Sequence, residues 1–251
     1  MGSYEPVVAL MRGLEILRCL NEEGAATVGQ LHARTGFAKP TIVRILETLI
    51  HTGYVQALGA ERRYAVTAGV LALSNGYDAQ TRLLDVACPI LDTYRQALGW
   101  PIELGVFDTD TMVILNTSRE PGFLSINRRP GSRVPVLRTA LGRAYLAALA
   151  PEVLEKVLSR LSAKPGADFD LARQAADVHA MLSATRRRGY SVADTETLSN
   201  GRALACAIRH NGLPVASVNI VVHVSAMSLS ELEEKFGGPI QSIAQEIAKV
   251  L

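Results

Sequence analysis

The sequence predicts an α+β chain in two parts, a winged helix-turn-helix over residues 1–75 and an antiparallel-sheet domain over 89–251, joined by a linker helix at 76–88. Three observations predict it. Thr27 to Thr48 has the spacing of two short helices about a glycine turn, and Gly53 to Val66 has the alternation of a tight hairpin. From Ile102 onward, hairpin-linked strands are interleaved with grouped helices, a pattern that builds helices against an antiparallel sheet.

The chain opens with an amphipathic helix from Val7 to Asn21, apolar at Leu10, Leu14, Leu17 and Leu20. Glu23-Gly24-Ala25 links it to a short helix carrying Val28 and Leu31, which ends at Gly36, where glycine takes a positive φ cheaply. Lys39-Pro40 starts the next helix, with proline in the first turn, where its missing N–H costs little. Ile42, Ile45, Leu46 and Leu49 share one face of that helix, so Thr41, Arg44 and Thr48 lie on the other. Lysine and hydroxyl groups suit phosphate, and arginine suits guanine or phosphate, in a major groove. Two helices about a glycine turn also occur in proteins that never touch DNA. The segment after the second helix favours DNA: a strand, a turn at Leu58 to Glu61, and a returning strand at Arg62 to Val66 form a wing with Arg62 and Arg63 near its tip.

Thr67 to Leu73 reads as a short helix capped by Thr67. A longer helix covers Asp78 to Leu98, with Pro89 expected to kink or divide it. Ile102 to Phe107 and Thr111 to Leu115 are strands joined through Asp108-Thr109-Asp110, and Phe123 to Arg128 is a further strand candidate. Helices are expected at Thr139 to Leu149, Glu152 to Leu161 and Asp170 to Arg187. Strands come next at Tyr190 to Val192, Ala203 to Arg209 and Val215 to Val222, the last two closed by Asn211-Gly212, before a helix from Ser230 to Leu251.

Composition bounds the function. Nearly half the residues are hydrophobic, enough for two cores, and the formal charge is only +2. Bulk electrostatics therefore does not advertise nucleic acid, and any positive surface must be local, at Lys39, Arg44, Arg62 and Arg63. The three cysteines, Cys19, Cys88 and Cys206, are far apart, so a disulfide framework is not expected. No apolar run approaches the roughly 20 residues needed to span a membrane, and no secretory signal opens the chain, so a cytoplasmic location is expected.

From Arg12-Gly13-Leu14-Glu15-Ile16-Leu17 through Lys39 to Leu46, Tyr54-Val55 and Arg63-Tyr64, the chain resembles the IclR (isocitrate lyase regulator) family of bacterial transcription factors. Arg138 to Ala144, Arg188-Gly189-Tyr190 and the C-terminal hairpin extend the likeness to the family's effector domain, so it covers nearly the whole chain. The resemblance implies a GAF/PAS-like second domain, and its texture is nearest to regulators of aromatic-acid (phenylpropionate-type) catabolism. It departs at Pro40-Thr41, where a hydroxyl pair is usual, and at Val43, where a polar residue is common. The DNA-facing set is then Arg12, Thr27, Lys39, Pro40, Thr41, Val43, Arg44, Thr48, Arg62 and Arg63.

A small organic acid is the expected effector. The start of the helix at Thr139 would attract an anion through its amides and dipole. Phe123, Ile126 and Val134 offer an apolar wall, and Arg138, Thr139, Asp194, Cys206 and Asn219 offer polar edges, with Ala203 beside them. Matching to the family's ligand-contacting positions supports Ile126, Val134, Ala140 and Leu141, whereas the family's acid aligns with Ala193 rather than Asp194. Each is equally at home as core, cap or solvated side chain. A single winged helix covers too few base pairs to be selective, so a homodimer on a roughly palindromic operator is expected, and the family implies dimers of dimers.

Two other readings compete, a ligand-binding protein without DNA recognition and a cysteine-dependent enzyme using Cys206 and His210. Residues four apart on a strand sit about 13 Å from each other, too far for a nucleophile and its base. His32, His51, His179 and His223 form no i,i+4 or His-x-x-Glu-His arrangement that would suggest a metal, and no phosphate-binding glycine motif occurs, so no cofactor is expected.

Overall fold

The computed structural model describes residues 5–59, 63–74, 78–118, 128–196 and 201–251. The chain forms two compact units, residues 1–78 and 79–251.

In the first unit, α1 (Val8–Glu23), α2 (Val28–Thr35) and α3 (Lys39–His51) precede a hairpin of β1 (Val55–Leu58) and β2 (Arg63–Val66). The apolar periodicity closes a core of Ile16, Cys19, Leu20, Ala26, Leu31, Ile42, Leu46 and Val55. Thr27 caps α2 in a capping box: its hydroxyl accepts from the Gln30 amide, and the Gln30 side chain takes the Thr27 amide. Gly36 ends α2 in the left-handed conformation, at φ 70°. Thr67 also caps as expected, accepting from the Gly69 amide, but the turn it starts, Ala68–Ser74, is 3-10 rather than α.

The second unit is built on a six-stranded antiparallel sheet in the order β5-β4-β3-β8-β7-β6. Its strands are β3 (Ile102–Asp108), β4 (Thr111–Thr117), β5 (Arg133–Pro135), β6 (Ser191–Asp194), β7 (Gly201–His210) and β8 (Leu213–His223). One face is covered by α4 (Asp78–Leu98) and α9 (Leu229–Val250), which bring Leu83, Ala87, Leu91, Phe236, Ile240, Ile243 and Ile247 onto Ile102, Leu104, Val218 and Ile220. The other face meets α5 (Ala140–Ala148), behind which pack α6 (Pro151–Ser162), α7 (Ala167–Asp170) and α8 (Ala175–Arg188). Where α5 crosses the sheet a small cluster of alanines meets, Ala140 and Ala144 against Ala193 and Ala205. Gly142 lets α5 lie close on the segment that leads into it: a Cβ there would lie 2.0 Å from the Val136 carbonyl oxygen.

Several expectations change. Pro89 does not divide α4, which is continuous from Asp78 to Leu98. Pro89 and Asp85 both face solvent, so water can meet the carbonyl that loses its amide partner. The single helix expected at 170–187 is broken, because Gln174 leaves helical geometry (ψ 64°) and Arg173 ties the turn to the Ser162 and Lys164 carbonyls. Val134, expected in the apolar wall of an effector site, lies in β5. Within the range expected as linker, Leu83 and Ala87 pack in the second unit's core, and residues 75–77 lie outside the described residues. The strand candidate 123–128 also lies outside them except for Arg128, which is not in a strand.

Candidate functional site

In the first unit, α3 presents Lys39, Pro40 and Arg44 to solvent, with Val43 and Thr41 half-buried beside them. Neither Lys39 nor Arg44 has a partner among the described residues. Two other arginines of this unit are committed: Arg18 pairs with Glu15 and Glu22, and Arg34 with Glu22 and Glu23. The Arg18 guanidinium holds the Glu15 carboxyl below its usual range. That leaves Lys39 and Arg44 as free cations at the front of α3, whose first turn has no side-chain cap.

Other expected DNA-facing residues have different surroundings. Thr27 spends its hydroxyl on the α2 cap, and Thr48 donates its own to the Arg44 carbonyl at 2.9 Å. Arg63 donates to the Ala25 carbonyl at 3.0 Å, fastening the wing to the α1–α2 turn. Arg62 lies outside the described residues. Arg12 stacks over the Phe37 ring at 5.6 Å. Arg12, Thr41, Arg44 and Thr48 also border a groove of about 820 Å³ between α1 and α3, with Leu10, Leu14, Leu17, Ile45 and Leu49 along it. Sequence reasoning missed Glu47, exposed and one turn beyond Arg44 on the same side of α3. Its i+3 spacing from Arg44 was the available signal.

In the second unit, Arg128, Arg138, Thr139, Ala140, Ala193, Ala203 and Asn219 converge on one cleft at the start of α5. Its floor is polar although it is buried. Glu103 on β3 and Asn219 on β8 are cross-strand partners on the α5 side of the sheet, 0 % and 2 % exposed. Glu103 Oε2 accepts from Arg128 Nη1 and from Asn219 Nδ2, each at 3.1 Å. At the rim, Arg138 donates to the Glu196 carbonyl, and Arg143 grips the Glu196 carboxylate at 2.9 Å. Buried Arg143 also donates to the Leu137 and Val192 carbonyls, fixing α5 against β6. The room within the cleft is about 20 Å³, enough for one water.

Of the expected effector residues, the fold therefore brings together Arg138, Thr139, Ala140, Ala203 and Asn219. Thr139 is also the cap of α5, accepting from the Gly142 amide and donating to the Pro135 carbonyl. Val134 and Leu141 are core beneath α5 and do not line the cleft. Asp194 points away and pairs with Arg202 at 2.8 Å, while Ala193 faces the cleft, because successive residues of β6 alternate sides. Cys206 likewise lies off the cleft, packed against the α4–α9 core. Burial pushes its thiol up to about 11, the opposite of an activated nucleophile. Phe123 and Ile126 lie outside the described residues. Glu103 and Arg128 were missed: an acid alternating with Ile102 and Leu104 reads as the solvent side of a strand until a helix covers it.

A winged helix with its free cations on the third helix, followed by an antiparallel-sheet unit, defines the class of DNA-binding transcriptional regulators. The family model of the IclR helix-turn-helix domain matches residues 9–59, and that of the bacterial transcriptional regulator IclR C-terminal domain matches residues 76–249. The chain belongs to the IclR family. It is 28% identical over 238 residues to the Pca regulon regulatory protein of Pseudomonas putida, covering 94% of this chain and 81% of that one. A putative transcriptional regulator from Rhodococcus sp. RHA1 superposes with a TM-score of 0.72 at 26% identity, covering 98% of both chains. An IclR homologue from Microbacterium hydrocarbonoxydans, solved in complex with 4-hydroxybenzoate, shares the fold with a TM-score of 0.72 at 22% identity, covering 97% of this chain and 98% of that one. No helix among the described residues is long and apolar enough to cross a membrane.

Proposed function

We propose that this DNA-binding regulator changes its hold on an operator when a small organic acid occupies the cleft at the start of α5. The observation that carries the reading is the meeting of Arg138 and the α5 N-terminus over the buried Asn219–Glu103–Arg128 floor, an arrangement suited to a carboxylate with a compact body. An acid larger than water enters only by parting the walls. Such parting gives the acid unequal affinity for two arrangements, which is what coupling to DNA requires. The complex of the Microbacterium homologue makes 4-hydroxybenzoate a reasonable first probe, and aromatic acids a first class to screen. Operator affinity measured by fluorescence anisotropy should shift severalfold under a saturating acid. An unchanged constant with every acid that binds would defeat the switch.

On the DNA side, Arg44 and Lys39 carry recognition. Arg44→Ala should weaken operator binding by roughly 1–3 kcal/mol if the guanidinium reads a base, and an equal loss on unrelated DNA would reassign it to phosphate. Binding should weaken steeply with added salt, since phosphate contacts dominate affinity; a flat response would count against direct contact.

The reading includes a homodimer on a roughly palindromic site, or a dimer of dimers. Support comes from α1, where Val8, Leu10, Met11 and Leu14 are all more than half exposed beside the apolar α1–α3 groove. A second copy of this surface would cover them. Leu10→Glu with Leu14→Glu should shift sedimentation toward smaller species and lower operator affinity, and unaltered sedimentation would place pairing elsewhere.

A further inference from the structure

We propose that the cleft selects acids bearing a hydrogen-bond donor, a hydroxyl or N–H on the body of the molecule, and that Asn219, oriented by Glu103, makes the selection. This selectivity rests on the effector reading above and narrows the class of ligand.

Donor and acceptor counting fixes the orientation of the amide. A carboxylate only accepts, so the Asn219 group lying 3.1 Å from Glu103 Oε2 must be its NH2. The same carboxylate oxygen takes Arg128 Nη1, and both partners are buried, so the amide has no reason to turn. Turning it would set a carbonyl against a carboxylate. The polar atom that Asn219 has left is Oδ1, which is buried and has no hydrogen-bond partner among the described residues. Asn219 lines the cleft with five other polar residues: Arg128 and Arg138 are cations, Thr139 is the α5 cap, Thr195 donates its hydroxyl to the Asp194 carbonyl, and Glu196 is paired with Arg143. A buried acceptor left unmet is costly, and a ligand that donates to it recovers that cost where a donorless analogue cannot. Arg138 and the helix end favour an anion at one side of the cleft, Arg128 being paired with Glu103, while the fixed carbonyl favours a donor at its floor. Together they describe a hydroxy or amino acid rather than a plain one. Glu103 is a positioning residue in this scheme, touching Asn219 and not the ligand.

The test uses the full chain and matched pairs of acids: the three hydroxybenzoates against the corresponding fluorobenzoates, and glycolate against acetate, each titrated calorimetrically. At least one hydroxy acid should bind the unaltered protein about tenfold to a hundredfold more tightly than its partner. In Asn219→Leu that ratio should fall to about one, with circular dichroism confirming the fold. In Glu103→Gln, whose amide can donate to Asn219 Oδ1, the ratio should shrink while the acids still bind. Equal affinities within every pair would overturn the inference and leave the effector cleft standing, as would a preference that survives in Asn219→Leu. If none of these acids binds the unaltered protein, the effector reading itself fails and takes the inference with it.

Discussion

At the scale of single residues, free charge is scarcer than composition suggests. Lys39 and Arg44 have no partner among the described residues while Arg18 and Arg34 are held by Glu15, Glu22 and Glu23, which leaves these two cations of a nearly neutral unit free at the front of α3. Glu47 complicates that face usefully. A carboxylate there repels phosphate but can accept from a cytosine amino group. Glu47→Ala should therefore tighten binding to unrelated DNA while reducing the preference for the operator, as competition assays would show; a loss on both would mean that Glu47 supports the helix instead. The buried Glu103–Arg128 pair is a different case, since removing one partner strands the other in the interior. Arg128→Ala should cost about 3–5 kcal/mol in urea unfolding. Cys206 makes a third prediction. With its thiol raised to about 11 by burial, its thiolate is scarce near neutral pH and grows only as pH approaches that value. Alkylation near neutral pH, followed by peptide mass spectrometry, should run roughly two orders of magnitude slower than for an ordinary cysteine.

At the scale of elements, legibility followed local physics. The helix-turn-helix was readable because Gly36, Pro40 and the Ile42–Leu46–Leu49 stripe each act within a few residues, and the β7–β8 hairpin because Asn211 and Gly212 both take positive φ, at 51° and 79°. What escaped depends on distant partners. The break at Gln174 is imposed by Arg173 reaching back to Ser162 and Lys164, and the burial of Glu103 by α5 lying over its face of the sheet. The cleft was half legible for the same reason: helix-start chemistry marked Arg138, Thr139 and Ala140, whereas period-two alternation decided between Ala193 and Asp194, and a one-residue choice moves a side chain to the other face. Gly142 states the packing constraint on α5. Gly142→Ala must push the helix off the Val136 carbonyl, at a cost of about 1–3 kcal/mol or more, visible as a lowered Tm and weaker acid binding together.

At the scale of the whole molecule, each unit has its own closed core, Ile16 to Val55 in one and the two-faced sheet in the other. Residues 79–251 expressed alone should fold and bind the same acids without binding DNA; a segment that stays unfolded would show that the units depend on each other. The exposed leucines of α1 carry a further consequence. If pairing is what keeps Leu10 and Leu14 from water, then below the dissociation constant the number of paired chains grows with the square of the number made. Halving synthesis would then leave about a quarter of the pairs, and the promoter beneath them would sense gene dosage as well as the acid.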